Sequence, residues 1–92
     1  MVARVARFAG QPNRFTTGEY KWVLETIRGC DGFVTAFHLV DEQAGESISF
    51  SVFENQEAAT RAEQQVRIAR EHLGRPASSP DEVHLWQIID QA

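Results

Sequence analysis

The side chains best equipped for chemistry are two histidines, His38 and His84, which fall in separate runs of β-branched and aromatic residues. Two imidazoles suggest a metal site or a general base. In the strand order derived below they occupy the two outer strands of one sheet. Three strand spacings of ~4.8 Å then separate them by about 14 Å, too far to share one ion within a chain. A site between two chains lacks a third ligand, so no metal is expected. Each histidine is then either a sheet residue satisfied by backbone or water, or a base in a cavity. Tyr20 is a further candidate base. Arg4 and Arg7 fall on opposite faces of the first strand. An inward arginine in a central strand needs a counter-charge, from Glu54 or Asp90, or an anionic ligand such as a phenolate.

Aromatic side chains offer the complementary chemistry. Trp22, Trp86, Phe37 and Phe50 could line a pocket by stacking on a flat ligand, or simply fill core and interface. Ser47, Ser49 and Ser51 alternate along one face of a strand, where such small side chains either floor a cavity or make room for helix alanines. No Ser–His–acid order stands in a motif context. No phosphate loop, cysteine pair or dinucleotide fingerprint is present. The single Cys30 forms no intrachain disulfide and is expected to be a small half-buried thiol in a reducing compartment.

Composition narrows the classes. At 92 residues there is room for one domain, 1–92. A chain this short buries only about 60–65% of its unfolded surface, so a second copy would add stability. The apolar fraction of 42% and charged fraction of 24% suit a globular protein. A net charge of −4 and a pI near 5.2 argue against nucleic acid, whose phosphates need clustered Lys and Arg. No apolar run approaches the ~20 residues that span a bilayer. Met1 is followed by strand-like sequence and not by a charged-then-apolar leader, so a cytoplasmic location is expected.

The elements that must position these groups follow in order. Residues 2–8 alternate loosely and read as a strand. Thr16 and Glu19 have capping-box spacing, and Phe15 and Tyr20 occupy the hydrophobic-staple positions. Tyr20, Val23, Leu24 and Ile27 then share one helical face, which Gly29 ends. Residues 33–40 and 47–54 flank a polar turn containing Gly45 and read as a β-hairpin. Asn55 can cap a second helix with Glu57 in its first turn and an apolar stripe of Ala59, Ala62, Val66, Ala69 and Leu73. Glu57–Arg61 and Glu63–Arg67 are spaced for ion pairs on its wet side. Gly74 and Pro76 stop it, residues 74–80 form a loop, and residues 83–89 form the last strand.

The order βαββαβ predicts an α+β, ferredoxin-like fold: an antiparallel four-stranded sheet in the order 4-1-3-2, with two helices on one face. Both faces of that sheet are apolar. The second strand offers Phe33, Phe37 and Leu39 on one side and Val34, Ala36 and Val40 on the other. The fourth offers Val83, Leu85 and Ile89 against Trp86 and Ile88. Helices cover one face only, and the other should be polar if it met water. A homodimer packed through the sheet face is therefore expected.

The element order, the hairpin, Gly32-Phe33 entering the second strand and the passage Phe53-Glu54-Asn55-Gln56-Glu57-Ala58 resemble the antibiotic biosynthesis monooxygenase-like superfamily of dimeric α/β barrels. In that superfamily an aromatic residue, an acid, a small polar cap and Glu-Ala commonly join strand three to helix two. The resemblance implies a homodimer and a small, mostly apolar or aromatic ligand. It also implies either a cofactor-independent monooxygenase acting on a phenol-like substrate or a non-catalytic ligand-binding or regulatory barrel. Haem-degrading members carry an Asn early in strand one and a Trp then a His in helix two. Here strand one has Arg4 and Ala6, and His72 stands at the far end of a helix without Trp. No cofactor is expected. An RNA-recognition reading shares the element order and finds Phe50 and Phe53 at stacking spacings, but Glu46 stands where that motif needs a basic residue.

Overall fold

The computed structural model describes residues 1–76 and 79–92 of the chain. Its elements are β1 (Val2–Ala9), α1 (Lys21–Arg28), β2 (Phe33–Asp41), β3 (Glu46–Phe53), α2 (Gln56–His72) and β4 (Glu82–Gln87). The strands form one antiparallel sheet in the order β2-β3-β1-β4, as expected. This is the ferredoxin-like α+β arrangement. Part of the loop expected over residues 74–80 lies outside the described residues.

Strand alternation sorts the sheet into two faces. Across the β1–β3 ladder Arg4 faces Ser51, Ala6 faces Ser49 and Phe8 faces Ser47; in the β2–β3 ladder Ala36 faces Ser51 and His38 faces Ser49. These residues make the helix side. The opposite side carries Val5, Ile48, Phe50, Phe37, Leu39, His84 and Trp86. One expectation is corrected here. The β2–β3 register jumps between Phe33 and Thr35, so Val34 is an extra residue in a bulge. Phe33 consequently packs into the helix-side core, while Phe37 and Leu39 point the other way. Strand β4 also ends at Gln87, before Ile88 and Ile89.

The core sits at one end of the helix side. Ile27, Phe53, Ala58, Ala59 and Ala62 are buried together, with Val2, Leu24, Phe33 and Val66 packed around them. Three alanines at the start of α2 let its backbone approach the sheet closely. Gly32 shows how closely, because a Cβ there would lie 2.6 Å from the Ala58 Cβ. Asn55 caps α2 as expected, its side chain accepting from the Ala58 N–H at 2.8 Å. Burial then falls along the helix until Leu73, the expected last member of its stripe, is 52% exposed. The second half of α2 lines a cavity instead of sealing a core.

The capping box is not formed. Gly18 adopts a left-handed φ of 78°, which interrupts a helix between Thr16 and Glu19. The Thr16 hydroxyl donates to the Asn13 carbonyl, the Glu19 N–H donates to Thr17 Oγ1, and α1 starts only at Lys21 without a side-chain cap. Residues 10–20 become a run of turns laid over one end of the sheet. The buried Ser47 hydroxyl fastens it by donating to the Gln11 carbonyl at 2.6 Å, and the Gly10 N–H donates to the Gly45 carbonyl.

Candidate functional site

Between this turn segment, the two helices and the sheet lies a partly open cavity of about 550 Å³. The sequence explains the space. Ala6, Ser49 and Ser51 are among the smallest side chains available, so the middle of the sheet forms a low floor. Phe8, Phe15 and Tyr20 wall one end, and Ile27, Phe53 and Val66 close the core side.

The aromatic end is tightly organised. Phe15 meets Phe8 and Tyr20 edge to face, with ring centroids 5.8 and 5.9 Å apart. It stacks on His38 at 3.8 Å. The Arg14 guanidinium lies 3.9 Å from the Phe8 ring centre and 4.1 Å from that of Tyr20, and Arg14 Nη1 donates to the Gln11 side chain. Burial, and secondarily the nearby Arg14 charge, lower the His38 pKa to about 4. The imidazole is therefore neutral near pH 7, and its buried Nε2 has no hydrogen-bond partner among the described residues. Burial also lowers the Arg14 pKa, and the Arg70 charge acts in the same direction. Two guanidinium groups thus press on one space.

Of the residues singled out from the sequence, the structure brings His38, Tyr20 and Arg4 to this cavity. Arg4 reaches Glu63 of α2 at 3.4 Å, and its buried Nε has no hydrogen-bond partner among the described residues. Glu63 therefore spans to β1, in place of the Glu63–Arg67 pair expected along the helix. The expected Glu57–Arg61 pair is present at 4.0 Å. Arg7, His84, Trp86, Phe37 and Phe50 lie on the opposite face, because the two-residue period separates each from the cavity side. Arg7 is held by Glu46 at 2.8 Å and Glu82 at 3.6 Å, not by Glu54 or Asp90. The two histidines are thus parted by the sheet itself as well as by its width. Trp22 is half-buried beside α2, with Arg70 5.6 Å from its ring centre, and does not line the cavity.

The sequence reading missed Arg14 and Phe15, which sit in turns without periodicity, and the cationic rim of Arg67, Arg70 and Arg75. The three-residue spacing of Arg67 and Arg70 was a usable signal, since it places both on one helical face. Among the described residues no group of three His, Cys, Asp or Glu side chains could hold a metal ion. No helix there is long and apolar enough to cross a membrane.

No protein-family model matches the sequence, and no curated protein matches it either. Solved structures do match in shape. Rv0793 from Mycobacterium tuberculosis superposes with a TM-score of 0.72 at 20% identity, over 99% of this chain and 97% of that one. SnoaB, a cofactor-independent oxygenase from Streptomyces nogalater, gives 0.69 at 20% identity, over 98% and 94%. A structure described as an antibiotic biosynthesis monooxygenase gives 0.65 at 14% identity, over 98% and 100%. The chain has the fold of the antibiotic biosynthesis monooxygenase-like proteins.

Proposed function

We propose that this chain binds a small, largely aromatic molecule in the cavity between sheet and helices and oxygenates it directly with O₂. The observation that carries the reading is the cavity's make-up: a floor of Ala6, Ser49 and Ser51, an aromatic end of Phe8, Phe15 and Tyr20, and a neutral His38 aimed at the same space. Such a lining suits a flat ring system, with few polar groups fixing its orientation. The likeness to SnoaB supports the reaction class.

Oxygenation of this kind needs a substrate that itself supplies the electrons, such as a reduced quinone or an anthrone-like phenol. For an anthrone, the reacting CH₂ loses a proton and the resulting anion passes electrons to O₂. One oxygen atom then replaces both hydrogens as a carbonyl and the other leaves as water, so the carbon's four-electron loss balances the reduction of O₂. The chain's own residues exclude water, hold the ring and stabilise negative charge. Arg4 and Arg14 supply the positive charge that does so, and His38 Nε2, when unprotonated, accepts a hydrogen bond from the acidic group.

One observation favours a binding role without turnover: an imidazole held near pKa 4 is a feeble base for a phenol or an anthrone. Oxygen uptake across a panel of anthrones and reduced naphthoquinones separates the two. A rate above the uncatalysed oxidation that falls in His38→Leu supports catalysis. Tight binding with no added rate assigns the chain to ligand binding or regulation.

The working form in this proposal is a homodimer. Phe37, Leu39 and Trp86 are 52, 45 and 56% exposed on one sheet face, beside Val5, Ile48 and Phe50. A second copy covering that face with the same residues satisfies two-fold symmetry.

A further inference from the structure

Charge is distributed unevenly in this chain. Its net charge is −4, yet five of its eight arginines, Arg4, Arg14, Arg67, Arg70 and Arg75, line the one cavity, against two acids, Glu63 and Glu71. Glu63 is engaged by Arg4. Among the described residues no carboxylate lies within ion-pair distance of Arg67, Arg70 or Arg75. These three come from the end of α2 and the loop beyond it, where the cavity meets solvent. Gathering like charges without counter-ions is unfavourable in itself. Burial is the first cause of the lowered Arg14 pKa, and repulsion from Arg70 adds to it. An anion placed among them would relieve that repulsion.

Position distinguishes an anion site from a solvated helix face. Arg67 and Arg70 fall on the cavity side of α2, in line with Ala59, Ala62, Glu63 and Val66, which line the same space. The outward side of that helix has its own pair, Glu57–Arg61. The cationic rim is thus continuous with the aromatic end and the small-residue floor. A single ligand touching all three must be flat, apolar in its body and anionic at one edge.

We propose that the ligand of this cavity is a planar aromatic carboxylate, its ring system against the Phe15–Tyr20 wall and its carboxylate held at the open end by Arg67, Arg70 and Arg75. The planar guanidinium fork matches a carboxylate in two parallel hydrogen bonds and also stacks on aromatic faces. The assignment rests on the cavity-binding reading above and adds the anionic anchor.

Isothermal titration with 1-hydroxy-2-naphthoate, 1-naphthol and 1-naphthyl phosphate tests it on the full chain. The carboxylate is expected to bind at least tenfold tighter than the naphthol, with the difference shrinking as salt rises. In Arg67→Gln/Arg70→Gln, with the thermal midpoint checked to confirm folding, that ratio should fall to within about threefold. Equal affinity for naphthoate and naphthol overturns the anchor and leaves cavity binding standing. Preference for the phosphate over the naphthoate overturns the carboxylate assignment. Failure of all three to bind overturns the cavity-binding reading beneath it.

Discussion

The His38 imidazole lies flat against the Phe15 ring, with centroids 3.8 Å apart and 17° between planes. One residue comes from a sheet strand and the other from the turn segment that covers the cavity's aromatic end. This contact ties the cover to the sheet. It also places an apolar surface over a titratable ring, and that desolvation, ahead of the Arg14 charge, lowers the pKa from 6.5 to about 4.

Stability should therefore depend on pH in a defined window. Because the folded-state pKa lies below the unfolded value, the contribution is complete above pH 6.5 and is lost as pH falls towards 4. For a half-buried ring, discounted for solvent screening, the loss is on the order of 2 kcal/mol. Urea denaturation at pH 7 and pH 4.5 should show it, and His38→Leu should flatten the difference. Equal pH dependence in both proteins would locate the acid sensitivity elsewhere.

Phe15→Ala removes the stacking surface together with the edge contacts to Phe8 and Tyr20. Large-to-small changes at aromatic positions cost about 3–5 kcal/mol when fully buried, and this half-buried ring belongs below that range, at about 2 kcal/mol. The more specific readout is His38 itself. With water admitted to its face, its pKa should rise from about 4 towards 6.5, measurable from the imidazole proton shifts in an NMR titration. An unmoved pKa would mean that Arg14, not desolvation, sets the value.

Gly32→Ala should be among the most damaging single changes at the core end. The residue has φ +83°, and an added Cβ would meet the Ala58 Cβ at 2.6 Å. Its carbonyl also accepts from the Glu54 N–H at 2.8 Å, so the backbone cannot easily shift. Left-handed strain and overpacking each cost about 1–3 kcal/mol. Adding Ala58→Gly should relieve the steric part alone, recovering some of the thermal midpoint. Full recovery would show that the backbone conformation carries no strain.

Local signals in the sequence were dependable where one short-range interaction decides the outcome. Asn55 caps because its carboxamide needs only the amide three residues on, and the period-two and period-3.6 patterns gave the element order and hence the sheet topology. They misled where a single backbone torsion overrides the pattern. Thr16 and Glu19 have capping-box spacing, but left-handed Gly18 between them sends the chain through turns. The bulge at Val34 likewise moves Phe33 to the other face without altering composition. The cavity was less legible still. It is assembled from the sheet, the turn segment and both helices, and the α2 arginines look like an ordinary wet helix face until the fold brings them round the same cavity as Ser49 and Ser51.

The uncovered sheet face gives the last expectation. The partly buried Val5, Ile48 and Phe50 form its middle, while Phe37, Leu39 and Trp86 stand out towards its edges. At one end Arg7 pairs with both Glu46 and Glu82, which leaves that trio a single negative charge in excess beside a broad apolar surface. Sedimentation at micromolar concentration should therefore give a dimer whose thermal midpoint rises with protein concentration. Trp86→Glu and Phe37→Glu should each yield a folded but destabilised monomer, since two-fold symmetry brings every new charge into the interface twice. Ile68→Glu, at an equally exposed apolar residue on α2, should leave the dimer intact. A wild-type chain that sediments as a stable monomer would show that this face is solvated, and with it would go the two-fold assembly proposed for the working form.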